Sequence, residues 1–250
     1  MTLLLNLPFK ISFAIVQFSV ILSLYSINHY MEFKQDLKTY PLRTSFIKDK
    51  IGIFVMATII FYLLALVLSL LQNIGSVLTI ILFTFLMVVY GLHIGNFRLK
   101  DILFVKNIYV GIVWTLLLVL FPQIFFQSTI SSKTIYYIII MGLITAISTI
   151  VYDLRDFKGD KKNNVKTIPT ILGLENTKKF LNIVTVIVLI FSVMLYIYQG
   201  KEYLAFILTS LYMLLVISRI GLDNIRVVTE IYDDAFFAFF GFSSVLLHGV

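Results

Sequence analysis

The chain has no cysteine, which excludes disulfides and thiolate metal sites. It is also poor in charge. Only 13% of its 250 residues are Asp, Glu, Lys or Arg, 60% are hydrophobic, and the mean hydropathy is +0.98. A soluble domain cannot hide that much apolar surface, so the composition describes a polytopic helical membrane protein. Helices are required because the bilayer core offers no water to open backbone groups. A cleavable signal peptide is not expected, since the first apolar run starts almost at Met1 and has no small-residue cleavage pattern. The apolar runs hold almost no ionisable groups in their interiors. This argues against a transporter, whose charged sites lie near the bilayer midplane.

What is present is a series of apolar runs of spanning length. Eight are expected, at Leu3 to Ile27, Ile51 to Leu71, Ser76 to Ile94, Ile108 to Pro122, Thr134 to Tyr152, Phe180 to Tyr198, Tyr203 to Ile220 and Ala235 to Val250. The fourth and last fall short of the roughly 20 residues a span needs. No stretch remains for a soluble domain, so residues 1–250 are expected to form a single integral-membrane domain. The net charge of +7 would suit nucleic acid, but the basic residues lie in loops between spans, and no nucleic-acid partner is expected.

Those basic residues are unevenly shared. Lys10 and the short connections near Gln72–Gly75, Gln123–Lys133 and Gln199–Glu202 hold three of the twenty Lys and Arg residues. The connections at 28–50, 95–107, 153–179 and 219–230 hold seventeen. The positive-inside rule puts the second set in the cytoplasm and, with eight spans, both chain ends outside.

Two acidic stripes fall on that cytoplasmic side. NHYMEFKQD places Asn28, Glu32 and Asp36 at four-residue steps, and YDLRDFKGD places Asp153, Asp156 and Asp160 at steps of three and four. Such steps stack side chains on one helix face. Two oxygen-rich stripes facing each other could hold Mg²⁺, which binds few protein carboxylates and completes its shell with water and phosphate oxygens. The plainer alternative is that charged helix ends mark the membrane surface. Basic residues accompany both stripes: Arg43 after the first, Arg98, Lys100 and Lys106 in the next cytoplasmic loop, and Lys161, Lys162 and Lys166 after the second. Arg and Lys would bind phosphate oxygens that metal ions leave open. Beyond the second stripe, Pro169 and Gly173 in NNVKTIPTILG suggest a turn and a return to regular structure.

At these residues the chain resembles the UbiA superfamily of intramembrane prenyltransferases. That family carries a first motif NDxxDxxxD and a second motif DxxxD, often within DxRDxxxDxxxGxxTLPxxxG. DLRDFKGDKKNNVKTIPTILG matches the second closely over Asp153 to Gly173, and NHYMEFKQD matches the first more loosely over Asn28 to Asp36. RLKDILFVKN, from Arg98 to Asn107, is similar to the basic segment between them. The resemblance implies an all-α bundle around a central cavity open to the lipid and capped by cytoplasmic loops. It implies Mg²⁺-dependent transfer of a prenyl group from an allylic isoprenyl diphosphate to a small aromatic or lipid-precursor acceptor. Asn28, Glu32, Asp36, Asp156 and Asp160 would serve the metal, with Asp153 supporting. Asp36, Asp156 and Asp160 would be catalytic. Arg43, Arg98, Lys100, Lys106, Lys166 and Tyr152 would contact the diphosphate.

The chain departs from the pattern in three ways. His29 stands where the family usually has Asp, and Glu32 replaces Asp. The family usually has nine spans, one of them ahead of the helix that carries the first motif; here that helix is the first span. A second copy of the chain or another partner would fill the missing place in the cavity wall. These departures sustain an alternative, a degenerate relative that binds isoprenoid or quinone lipids, or a partner, without turnover. The expected location is the cell inner membrane in a bacterial host, with the site loops cytoplasmic.

Overall fold

The computed structural model describes residues 1–39, 41–92, 102–162, 165–221, 223–229 and 234–248, with all their side chains except those at 32, 34–39, 41–43, 46, 162, 226, 234, 236–237 and 246–248. All regular structure among them is helical. In chain order the helices are α1 (Ile11–Thr39), α2 (Pro41–Asp49), α3 (Ile51–Gln72), α4 (Ile74–Gly91), α5 (Val105–Thr115), α6 (Phe121–Phe125), α7 (Ser132–Lys162), α8 (Ile168–Leu172), α9 (Leu174–Gln199), α10 (Leu204–Arg219), α11 (Ile225–Val227) and α12 (Asp234–His248). They belong to two compact units that interleave along the chain. One contains Pro8–Asp101 and Phe121–Thr129, the other Met1–Leu7, Ile102–Leu120 and Ile130–Val250.

Among the described residues, seven helical stretches are long and apolar enough to cross a bilayer: Ile11–Met31, Ile51–Gln72, Ile74–Gly91, Val105–Phe125, Ser132–Lys161, Leu174–Gln199 and Lys201–Arg219. The expected eighth coincides with α12, of which 15 residues are described, fewer than a full crossing takes. The first span starts at Ile11 rather than Leu3. Residues 2–6 form turns ahead of Pro8, which lacks an N–H and keeps its neighbour out of the helical region. The fourth span is longer than its apolar run suggested. A π-helical segment, Leu116–Leu120, joins α5 to α6 and carries the helix through Pro122 to Phe125. Proline cannot donate to an α-helical ladder and clashes with the carbonyl four residues back, so a π turn just ahead of it lets the helix continue.

In the α1 unit, Asn73 ends α3 and starts α4. It is extended, its side chain accepts from the Ser76 N–H at 2.8 Å, and its amide donates to the carbonyls of Ile124 and Phe125 at 3.1 and 3.0 Å. One residue thus caps one helix and binds the exposed carbonyls of another. Nearby, Phe13 packs against Phe121, Phe125 and Phe126. This aromatic knot lies at the start of α1, far from the acidic stripe at its end.

In the α7 unit, Tyr137, Ile140, Ile144, Ile147, Val151 and Leu154 form one buried stripe of α7. Their three- and four-residue spacing keeps them on one face, packed with Leu181 and Val188 of α9 and Phe206, Met213 and Ile217 of α10. Lys133 and Glu202 pair at the end of the unit opposite the acidic stripe. Another face of α7 meets α5 through small residues. A Cβ at Gly111 would lie 3.3 Å from the Ala146 nitrogen and 3.4 Å from the Gly142 carbonyl oxygen. The Thr115 and Thr145 hydroxyls both donate to the Gly111 carbonyl, at 2.7 and 3.1 Å. Small residues let helix backbones approach where lipid supplies no hydrophobic drive.

The turn expected around Pro169 and Gly173 is present. Thr167 caps the short α8 in a reciprocal box with Thr170. Gly173, at φ +77°, ends α8 and leads into α9, a conformation in which a side chain would be strained.

Candidate active site

The small-residue seam fixes what faces the polar end of α7. Asn107 lies one turn before Gly111 on α5, while Thr149 and Asp153 follow Ala146 by one and two turns on α7. The Asn107 amide accordingly donates to Thr149 Oγ1 at 3.2 Å and to Asp153 Oδ2 at 2.9 Å. Lys106 Nζ pairs with Asp153 Oδ1. Asp153 and Asn107 are 2% and 4% exposed. A carboxylate so deeply buried is tolerable only when paired and hydrogen-bonded, and both its oxygens are.

One turn further, Asp156 is held by the fork of its neighbour Arg155, with Nε to Oδ1 at 3.1 Å and an outer nitrogen to Oδ2 at 3.3 Å. Arg155 also lies over the Tyr152 ring, 5.2 Å from its centroid. Asp160 follows one turn on, within electrostatic reach of Lys106, Asp156 and Asp153. Lys166 is exposed just before the α8 cap. The α7 end therefore gathers Asp153, Asp156, Asp160, Tyr152 and Lys106. Sequence reasoning did not nominate Arg155 or Asn107. Arg155 was legible as the basic residue inside DLRD. Asn107 becomes visible only once α5 and α7 are neighbours.

On α1, the four-residue steps of the first stripe are real helical steps, since α1 runs unbroken through Thr39. Among the described residues, Asn28 Oδ1 is buried and has no hydrogen-bond partner. The side chains of Glu32, Asp36 and Arg43, and all of Arg98 and Lys100, lie outside the described residues. His29 lines a pocket of about 600 Å³ bounded by α1, α2 and α3, whose walls include Leu22, Phe33, Ile47, Phe54 and Ile59.

Among the described residues, no three His, Asp or Glu side chains converge on one point as a ready-made metal cage. The donor set nevertheless fits Mg²⁺. At the end of α7 it is all oxygen, and Asp156 and Asp160 stand one turn apart with cations beside them. A hard cation that keeps water and takes one or two carboxylates plus phosphate oxygens needs no closed protein cage.

The structure is similar to that of a UbiA homologue from Archaeoglobus fulgidus solved bound to GPP and Mg²⁺, with a TM-score of 0.62, 18% identity, and coverage of 93% of this chain and 88% of that one. It is also similar to a solved digeranylgeranylglyceryl phosphate synthase, with a TM-score of 0.61, 18% identity, and coverage of 99% and 88%. At the sequence level it is 28% identical over 146 residues to a digeranylgeranylglyceryl phosphate synthase of Methanosphaera stadtmanae. That match takes in 57% of this chain and about half, 49%, of the relative. The model of the UbiA prenyltransferase family matches residues 4–242. With the DLRDFKGD motif sitting at the polar end of α7, and with the family pattern running along almost the whole chain, the protein belongs to the UbiA prenyltransferase family.

Proposed function

We propose that the protein transfers a prenyl group, within the membrane, from an allylic isoprenyl diphosphate to a hydroxyl-bearing acceptor, with Mg²⁺ as cofactor. The observation that carries this reading is the end of α7. There Asp156 and Asp160 stand one turn apart beside Lys106 and Arg155, in a chain of this family.

We assign cation binding to Asn28, Glu32, Asp36, Asp156 and Asp160. Mg²⁺, when bound, would supply charge neutralisation for the departing diphosphate. Arg43, Arg98, Lys100, Lys106 and Lys166 would bind its remaining oxygens, with Arg155 added from the structure. The bond between the allylic carbon and the diphosphate oxygen breaks, and its electron pair leaves with the diphosphate. Fixed positive side chains favour that step because charge grows on the leaving group as the bond lengthens. The acceptor oxygen then bonds to the allylic carbon and loses its proton. Dry apolar helix walls keep water from intercepting the cation. The segregation of Lys and Arg supports a cytoplasmic side for these residues. The named relative acts in digeranylgeranylglyceryl phosphate synthesis, so a glyceryl phosphate lipid with a free hydroxyl is the acceptor to try first.

The test is diphosphate release by purified protein in detergent, with geranyl, farnesyl and geranylgeranyl diphosphates and a pool of lipid and aromatic acceptors. Release should require Mg²⁺ and fall by about 100-fold or more in Asp156→Asn. Folded protein that releases no diphosphate from any donor would sink the enzyme reading and leave a binding protein.

A further inference from the structure

We infer that Asp153 is a positioning residue. Together with Asn107 it fixes the Lys106 ammonium for the donor's diphosphate, rather than ligating the cation. This rests on the function proposed above and goes beyond it, because it separates Asp153 from the two acids that follow it.

Three observations carry it. First, both carboxylate oxygens are bound by side chains of another helix, Oδ1 by Lys106 and Oδ2 by the Asn107 amide of α5, whereas Asp156 meets its own chain neighbour Arg155 and its side chain is 25% exposed. Second, access is lopsided. The Asp153 side chain is 3% exposed and the Lys106 side chain 36% exposed, so of the pair the lysine and not the carboxylate is open to an incoming anion. Third, Asn107 is itself held. It spends its two amide N–H bonds on Asp153 and Thr149, and the Thr149 hydroxyl donates to the Ala146 carbonyl at 2.8 Å. The chain of bonds ends on the backbone of α7, at a residue of the seam that holds α5 against it. Lysine has a long, flexible stem, and an ammonium on such a stem is a poor anion site until something restrains it. Asp153 supplies the restraint and the Asn107 amide fixes the angle of Asp153.

The experiment compares Asp153→Asn, Lys106→Met, their double variant, Asn107→Ala and Lys106→Arg. Two quantities are read in detergent: the half-saturating concentration of inorganic diphosphate, and Mn²⁺ binding at saturating diphosphate by electron paramagnetic resonance. A positioning role predicts that Asp153→Asn and Lys106→Met each weaken diphosphate binding about tenfold and that the double variant is no weaker, since both act through one ammonium. Mn²⁺ binding should match the wild type in all of them, and Lys106→Arg should retain most diphosphate affinity. Asn107→Ala should show the same split in smaller measure, and it carries the test if Asp153→Asn does not fold. Mn²⁺ binding lost in Asp153→Asn but kept in Lys106→Met would overturn the inference, as would additive losses in the double variant. Wild-type protein that binds no Mn²⁺ and diphosphate together would instead overturn the proposed function itself.

Discussion

Asp153, Asp156 and Asp160 share one face of one helix, yet their surroundings differ. Asp153 is buried between a lysine and an asparagine, Asp156 is forked by an arginine, and Asp160 lies beyond both. Equivalence in a motif is therefore not equivalence in chemistry. His29 makes the same point on α1. It occupies a motif position usually held by an acid, but its side chain lines a largely apolar pocket. His29→Ala should leave the Mg²⁺ concentration that half-saturates diphosphate release where the wild type has it. A several-fold rise would mean that His29 belongs with the cation site after all.

Helices carry these side chains, and two contacts between helices can be tested, one beside the site and one remote from it. Gly111→Leu would push a branched side chain into the backbone of α7, with an expected cost of about 1–3 kcal/mol. Thermal unfolding in detergent should show the loss, together with weaker diphosphate binding as Asn107 and Lys106 shift. Asn73→Ala removes a helix cap and the donor to two carbonyls, and should destabilise by at least about 1 kcal/mol without altering diphosphate affinity. An unchanged melting temperature in either variant would refute the corresponding contact. Much at this scale was legible beforehand. The apolar runs located all seven spans, the second, third, fourth and seventh to within three residues at both ends, and Pro169 with Gly173 marked the short α8. What escaped was what depends on neighbours. Periodicity gives the phase of a residue on its own helix but not which helix stands opposite, so Asn107 and the Asn73 bonds to α6 were out of reach. The π segment escaped for another reason: Pro122 reads as a stop, and only the local backbone shows that the helix carries on past it.

For the molecule as a whole, the missing cysteines become an asset. Single cysteines placed at Lys201 and Asp223, exposed positions flanking α10, can be labelled without removing any native thiol. In sealed vesicles an impermeant maleimide should reach Lys201→Cys from outside and Asp223→Cys only after the cytoplasmic face is opened. The reverse pattern would invert the orientation and move the α7 stripe to the outer face. The seam between α5 and α7 also bears on how the protein meets different membranes. Gly111, Gly142 and Ala146 interlock backbone against backbone, so α5 cannot slide gradually along α7. A slip of one residue would swing Asn107 by about 100° around its axis and abandon Asp153. Bilayers of different thickness should therefore leave diphosphate affinity nearly constant until the seam fails as a whole, a threshold response rather than a gradual one.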